Sequence, residues 1–188
     1  MLDLMEAALA RARMLAPNDP VAAPLAEYLE RHLIEEAHHE QPGGAILEDL
    51  DAAGADVAAL VDAATSDKIA MLLALQHRWI REEHPVAVLG FLQLEAHYTE
   101  RPVVEHLIAG SGLPRAAFGQ LLEHATLDAM HAAQLNLLLD SLPLTPAEEQ
   151  LVGLSALTTL RLVAEALVET LDRVSVTTPA PSPSRVRP

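Results

Sequence analysis

The stretch His124-Ala125-Thr126-Leu127-Asp128-Ala129-Met130-His131 decides how this chain folds and what it holds. A helix turns about 100° per residue, so positions i, i+4 and i+7 fall at about 0°, 40° and −20°. On a helix, His124, Asp128 and His131 therefore share one narrow stripe. The flanking sequence supports the helix. Apolar residues recur at spacings of three and four from near Pro114 to about Asp140, and no strand-like alternation competes.

The same spacing occurs again at His32, Glu36 and His39. With nine His and 27 acidic residues in 188, chance would place roughly 0.06 such patterns in the chain, so two of them mark a site. Imidazole and carboxylate together bind iron well, and a nitrogen-and-oxygen site with open positions suits dioxygen. In helical bundles such ligands project inward from facing helices, and Glu-x-x-His is a recurring unit of carboxylate di-iron sites. Glu36-Ala37-His38-His39 contains that unit, and Asp128-Ala129-Met130-His131 is its shorter analogue. The competing reading of both triads is a hydrogen-bonded core histidine network or a zinc site. A third helix should add a carboxylate. Glu95 is the candidate, because it follows nine uncharged residues from Val86 to Leu94, where a carboxylate is costly unless paired or metal-bound.

The bulk composition narrows the chemistry further. Half the residues are apolar (51%) but only 3% are aromatic, so the core must be built from Ala, Leu and Val, which suit close-packed helices. A net charge of −15 argues against nucleic acid and against anionic membrane surfaces as partners. The absence of cysteine excludes disulfides, thiolate zinc sites and a cysteine nucleophile within this sequence. The N-terminus has no signal-peptide pattern, and no apolar run approaches the ~20 residues needed to span a bilayer. The expectation is a cytoplasmic protein.

Outward from the motifs, the chain reads as helices at about 3–15, 21–40, 45–54, 56–64 and 66–83. Another runs from Pro85 to about Ala109 with a kink near Pro102, then 114–140, and a last one reaches about Val174. Pro17-Asn18-Asp19-Pro20, Pro42-Gly43-Gly44 and Gly110-Ser111-Gly112 are the breaks, and Thr65-Ser66-Asp67 is a break and cap. Thr145-Pro146-Ala147-Glu148 reads as a capping box opening the last helix. Residues 1–176 are expected to form one helical domain. The Pro-, Ser- and Arg-rich tail 177–188 has too little apolar content to order itself.

Other polar residues have plainer readings. His77, His84, His97 and His106 are expected at the surface or at caps. His38 should point about 100° away from His39, and Glu35 likewise from Glu36, so neither should share the site. Glu48-Asp49-Asp51 and Glu148-Glu149 read as solvated faces. Arg78, Trp79 and Tyr98 are candidate pocket-lining residues whose commoner role is structural.

Three segments together resemble the haem-oxygenase-like di-iron oxygenases, over about residues 20–175. They are His32–Glu40 followed by Glu48-Asp49-Leu50-Asp51-Ala52-Ala53-Gly54, then Leu89-Gly90-Phe91-Leu92-Gln93-Leu94-Glu95, and His124–His131, which matches the family's most specific motif in full. The resemblance implies an all-α, seven-helix haem-oxygenase-like bundle without haem, with a ferritin-like four-helix bundle as the alternative. It implies two Fe2+ ions, O2 as co-substrate, and an external electron donor. His39, Glu95, His124, Asp128 and His131 match family ligands. Glu36 is the expected sixth, with His32 as an additional or replacement ligand. Gln41-Pro42-Gly43-Gly44 departs from the family, whose helix continues there.

The resemblance implies a di-iron oxidoreductase for a small metabolite, by N-oxygenation or oxidative C–C cleavage of an amino-acid-derived or nitrogen-bearing substrate. Fatty-acid-type oxidative decarboxylation is the alternative on the same scaffold. A second copy of the chain and a reductase are candidate partners. A ferritin-like protein would need a further ligand Glu before Glu36, and only Glu6 is offered. A metal-free hydrolase of the thiaminase type would need the missing cysteine. A non-catalytic helical module predicts no bound metal.

Overall fold

The structure, a computed structural model, describes residues 2–36, 45–62, 65–95 and 100–177, the side chains of 95 and 172–177 excepted. Every regular element among them is helical. Apolar residues at 4, 5, 8, 9 and 12 give α1 (Leu2–Leu15) one buried ladder. It packs along α2 (Ala22–Glu36) across the predicted break. Asp19 Oδ1 starts α2 by accepting from the amides of Val21 (2.8 Å) and Ala22 (3.1 Å).

The buried stripe of α2 runs Ala22, Leu25, Ala26, Leu29, His32, Glu36. Two polar residues thus occupy the end of a core-facing stripe, where apolar side chains would otherwise be expected. His39 and Gln41-Pro42-Gly43-Gly44 lie outside the described residues, as do His38, His97, Tyr98 and the tail from 178.

Two short helices follow, α3 (Ala45–Ala52) and α4 (Val57–Val61). α5 (Asp67–Arg78) is capped by Ser66, whose Oγ accepts from Lys68 N at 3.3 Å. It passes into a wide π turn at Trp79–Glu83 that buries Trp79 and Ile80. α6 (Ala87–Glu95) and α7 (Arg101–Ser111) replace the single kinked helix expected over 85–109. Pro102 sits in the first turn of a new helix, where its missing N–H costs nothing, rather than inside an old one. Gly112 ends α7 with φ 73°, a left-handed conformation that glycine adopts without strain.

A 3₁₀ turn at Arg115–Phe118 leads into α8 (Gly119–Ser141), and α9 (Pro146–Thr177) closes the chain. The capping box of α9 is reciprocal: Thr145 N donates to Glu148 Oε2 (2.7 Å) and Glu148 N to Thr145 Oγ1 (3.3 Å).

Close packing is concentrated where α9 crosses α6 and α5 and where α1 runs along α2. At Gly90 on α6, an added Cβ would lie 2.3 Å from the Val152 carbonyl oxygen and 2.7 Å from Ala156 N. Gln76 on α5 is fully buried and ties into α9, its Nε2 donating to Ser155 Oγ (2.8 Å) and Thr159 Oγ1 (3.1 Å).

One expectation about charged surface needs correction. Asp49 is not a solvated residue. Its Oδ2 accepts from Gln120 N at 2.8 Å, so α3 caps the start of α8. The expectation that no apolar run approaches the length of a bilayer span meets one weak candidate, Pro146–Leu171 of α9. Arg161 and Glu165 interrupt its apolar run, and the segment qualifies by length and composition alone, its most apolar 18 residues having mean hydropathy 1.7.

Candidate metal centre

α2 packs against α8, and the contact brings the two halves of the doubled motif together. On α8 the buried residues are Asp128, His131 and Leu135, so the His124–His131 stripe faces inward. His131 lies between the last two residues of α2. Its Nδ1 is 3.6 Å from Glu36 Oε1, and its Nε2 is 3.5 Å from Glu35 Oε2. The same Glu35 oxygen is 3.5 Å from His32 Nδ1. The rings of His32 and His131 meet edge to face at 4.8 Å. His124 Nδ1 lies 2.9 Å from Asp128 Oδ1 within α8.

His32, Glu36 and His131 thus converge as one group, with Asp128 and His124 one and two turns back along α8. Glu95 closes α6, which also packs on α8. His39 lies outside the described residues.

Glu35 corrects the sequence reading. Successive helix positions do point about 100° apart, but the imidazole of His131 is placed so that each ring nitrogen meets one carboxylate. Adjacent glutamates can therefore serve one ring. A sequence signal was present, because His32 and Glu35 are i, i+3 neighbours on a helix surface.

The environment fits a cation. His32, Glu35 and His131 offer ligand atoms within 4.8 Å of one another. His32 Nδ1 and Glu35 Oε2 are buried without a hydrogen-bond partner among the described residues. Their separations from neighbouring donors exceed normal hydrogen-bond lengths, and a buried polar atom left this way is costly. Burial, and then the neighbouring His131, hold the His32 imidazole below its ordinary pKa, which keeps the ring neutral and its lone pair available. Tyr28 stacks on His32 with ring centroids 5.3 Å apart. Burial, and next the charge of Glu35, raise the Tyr28 phenol well above its usual pKa, so it remains protonated. The donor set of imidazole and carboxylate suits several divalent ions, Fe2+ and Zn2+ among them.

A second cluster is different in kind. His84 caps the turn at Trp79–Glu83, which the capping expectation allowed, but it is buried rather than at the surface, and Glu148 beside it is no solvated face. His84 Nδ1 accepts from Val86 N at 3.1 Å. The hydrogen of the neutral ring must then sit on Nε2, which donates to Asp19 Oδ2 at 3.0 Å and lies 3.8 Å from Glu148 Oε1. A nitrogen that carries a hydrogen has no lone pair to offer, so this cluster is a clamp between the α2 cap and the start of α9. Trp79 lines a cleft of about 450 Å³ beside it, with Glu83 and Leu154.

The remaining candidates lie at the surface. His106 is exposed, and His77 Nε2 is 2.9 Å from Asp3 Oδ2. Arg78 and Arg81 pair with Glu82, Arg115 forms a two-pronged pair with Glu105 at 2.8 Å, and Arg101 reaches Thr126.

No family model matches the chain, and no curated protein matches it. Among solved structures it is similar to a domain of unknown function with a haem-oxygenase-like fold from Shewanella denitrificans OS217. The two are 19% identical, with a TM-score of 0.73 over 96% of this chain and 82% of that one. The chain therefore has a haem-oxygenase-like fold. That sets aside the ferritin-like four-helix alternative and bears out the all-α haem-oxygenase-like expectation, with nine α-helices among the described residues where seven were expected.

Proposed function

We propose that the protein is a non-haem di-iron oxidoreductase using O2. The observation that supports this most is the convergence of His32, Glu35, Glu36 and His131 in a buried place, on a fold reached independently of the motif. The residues that would hold iron are Glu36, His39, Glu95, His124, Asp128 and His131, with His32 and Glu35 at the same cluster. Bound iron would supply the reduction of O2, with electrons from an external donor. The protein's part is to keep imidazoles neutral, to gather carboxylates out of water and to brace His32 with Tyr28.

The substrate reading is a small, nitrogen-bearing metabolite, undergoing N-oxygenation or oxidative C–C cleavage. A carboxylate-bearing substrate, including a fatty acid, would want an arginine. Arg78, Arg81, Arg101 and Arg115 are each exposed and engaged with surface partners, which favours the amine over the carboxylate as the recognised group.

Anaerobic Fe(II) titration followed by O2 exposure, watched by visible absorption, tests the reading. Binding near two equivalents and a transient absorption band are expected. Iron binding unchanged by His124→Ala combined with His131→Ala would overturn it.

A further inference from the structure

α9 carries none of the residues of the metal cluster, yet among the described residues it has more exposed large apolar side chains than any other element. Its buried face is Ser155, Thr159, Leu162 and Ala166, turned toward α5 and α6. The opposite face should then be polar, since a helix apolar all round is normally buried all round. It is not. Leu157, Leu160, Leu167 and Val168 are between 52 and 70% exposed, with Ala164 exposed among them.

The spacing of this face is regular. Gly153, Leu157, Leu160, Ala164, Leu167 and Leu171 follow one another at intervals of 4, 3, 4, 3 and 4. That is an unbroken heptad seam in which Leu157, Ala164 and Leu171 hold one core position and Gly153, Leu160 and Leu167 the other. Val174 continues it in sequence. A heptad seam is complementary to another helix with the same repeat, and the described residues offer none on this face. The small residues suit close approach, and a Cβ at Gly153 would meet nothing within 4 Å.

Charge points the same way. The charges of this part of α9 stand off the seam: Lys68 on α5 engages Glu165 at 2.8 Å and Glu169 at 3.9 Å, and Arg161 flanks the stripe 3.9 Å from Glu165. With half to two-thirds of each seam leucine exposed, covering the seam completely would remove roughly 500–600 Å² per copy, roughly 1,000–1,200 Å² in all, the lower edge of a specific interface.

We infer that the outer face of α9 is a dimerisation seam, pairing with the same face of a second copy of this chain. The contact is isologous, so one surface serves both partners.

The full chain has no cysteine, so single introduced thiols report the pairing cleanly. Sedimentation equilibrium at micromolar concentration should give twice the 20.2 kDa of the chain. Leu157→Glu combined with Leu167→Glu should give a monomer with unchanged helical circular dichroism. Met14→Glu, an equally exposed apolar position on α1, should leave the dimer intact. Under mild oxidation, Ala164→Cys should cross-link to itself in a parallel pair. In an antiparallel pair, mixed Leu160→Cys and Ala164→Cys chains should cross-link instead.

A monomeric unaltered chain would overturn the inference. So would a dimer indifferent to the two glutamates, or the absence of both cross-links. Binding to zwitterionic vesicles by a monomeric chain, lost in the glutamate variant, would assign the face to a lipid surface and overturn it equally.

Discussion

At the scale of single residues, Glu35 and Gly90 carry the sharpest consequences. Glu35 Oε2 stands 3.5 Å from nitrogens of both His32 and His131, so removing it strips the shared carboxylate from both rings. Glu35→Ala should weaken Fe(II) binding by at least about 10- to 100-fold, the loss typical even for residues that only support a ligand. Ile34→Ser, on the exposed side of the same turn, should leave it unchanged. Isothermal titration under anaerobic conditions separates the two. Gly90→Ala would press a methyl group into the α9 backbone at Val152 and Ala156. Backbone cannot swing aside as a side chain can, so the cost should reach about 3 kcal/mol, the upper part of the usual overpacking range, read from urea unfolding. Only part of either role shows in the sequence. For Glu35 the i, i+3 spacing from His32 shows, but its place at His131 does not, because a helical wheel treats side chains as fixed spokes, whereas a histidine ring presents two nitrogens on different sides. Gly90 is visible as a glycine within an apolar helix, but what it makes room for is not.

At the scale of elements, caps and breaks decide the layout, and Asp19 shows how one residue joins several. Burial pushes its carboxyl upward in pKa, but the Val21 amide, His84 and the Ala22 amide favour the charged form and hold it below the ordinary 3.8. A carboxyl whose folded pKa is depressed stabilises the fold above the unfolded value and loses that contribution as pH falls through the folded one. Asp19→Asn keeps a side-chain acceptor for the α2 cap but loses the charge facing His84. The variant should be less stable than the parent at pH 7, and the gap should close as the pH falls below about 3.8. Urea midpoints at pH 7 and pH 3 check this; an equal gap at both would contradict it. Long, periodic segments such as α2, α8 and α9 were legible in sequence because propensity, period and caps agree there. The capping box at Thr145–Glu148 was legible for the same reason. The division between α6 and α7 was not, since apolar residues at helical spacing continue on both sides of it and Pro102 fits either a kink or a first turn. The burial of His84 was equally hidden, because its partners Asp19 and Glu148 are distant in sequence and only tertiary packing assembles them.

At the scale of the whole molecule, the buried polar cluster is a cost the fold carries, and under the proposed function bound iron would offset it. Glu36, Asp128, His32 and His131 are each no more than 6% exposed, yet they occupy positions on core-facing stripes of α2 and α8 that apolar residues would fill more cheaply. A ligand that binds the folded state alone stabilises it by RT ln(1 + [L]/Kd), about 2.7 kcal/mol at a hundredfold excess over Kd. For a chain of this length each kcal/mol moves the melting temperature by roughly 2–4 °C, so saturating Fe(II) under anaerobic conditions should raise it by roughly 5–10 °C. The chelator-treated protein should return to the lower value, and His32→Ala combined with His131→Ala should abolish the shift. Helix content at room temperature should be the same in the loaded, chelator-treated and variant samples, because α1, α5 and α9 hold much of the core without any residue of the site. A melting temperature that does not respond to Fe(II), or a shift that survives loss of both histidines, would mean that the cluster is a structural histidine network. A shift produced by Zn(II) and untouched by Fe(II) would assign it to zinc instead. Differential scanning calorimetry therefore distinguishes the readings the sequence left open without requiring the substrate.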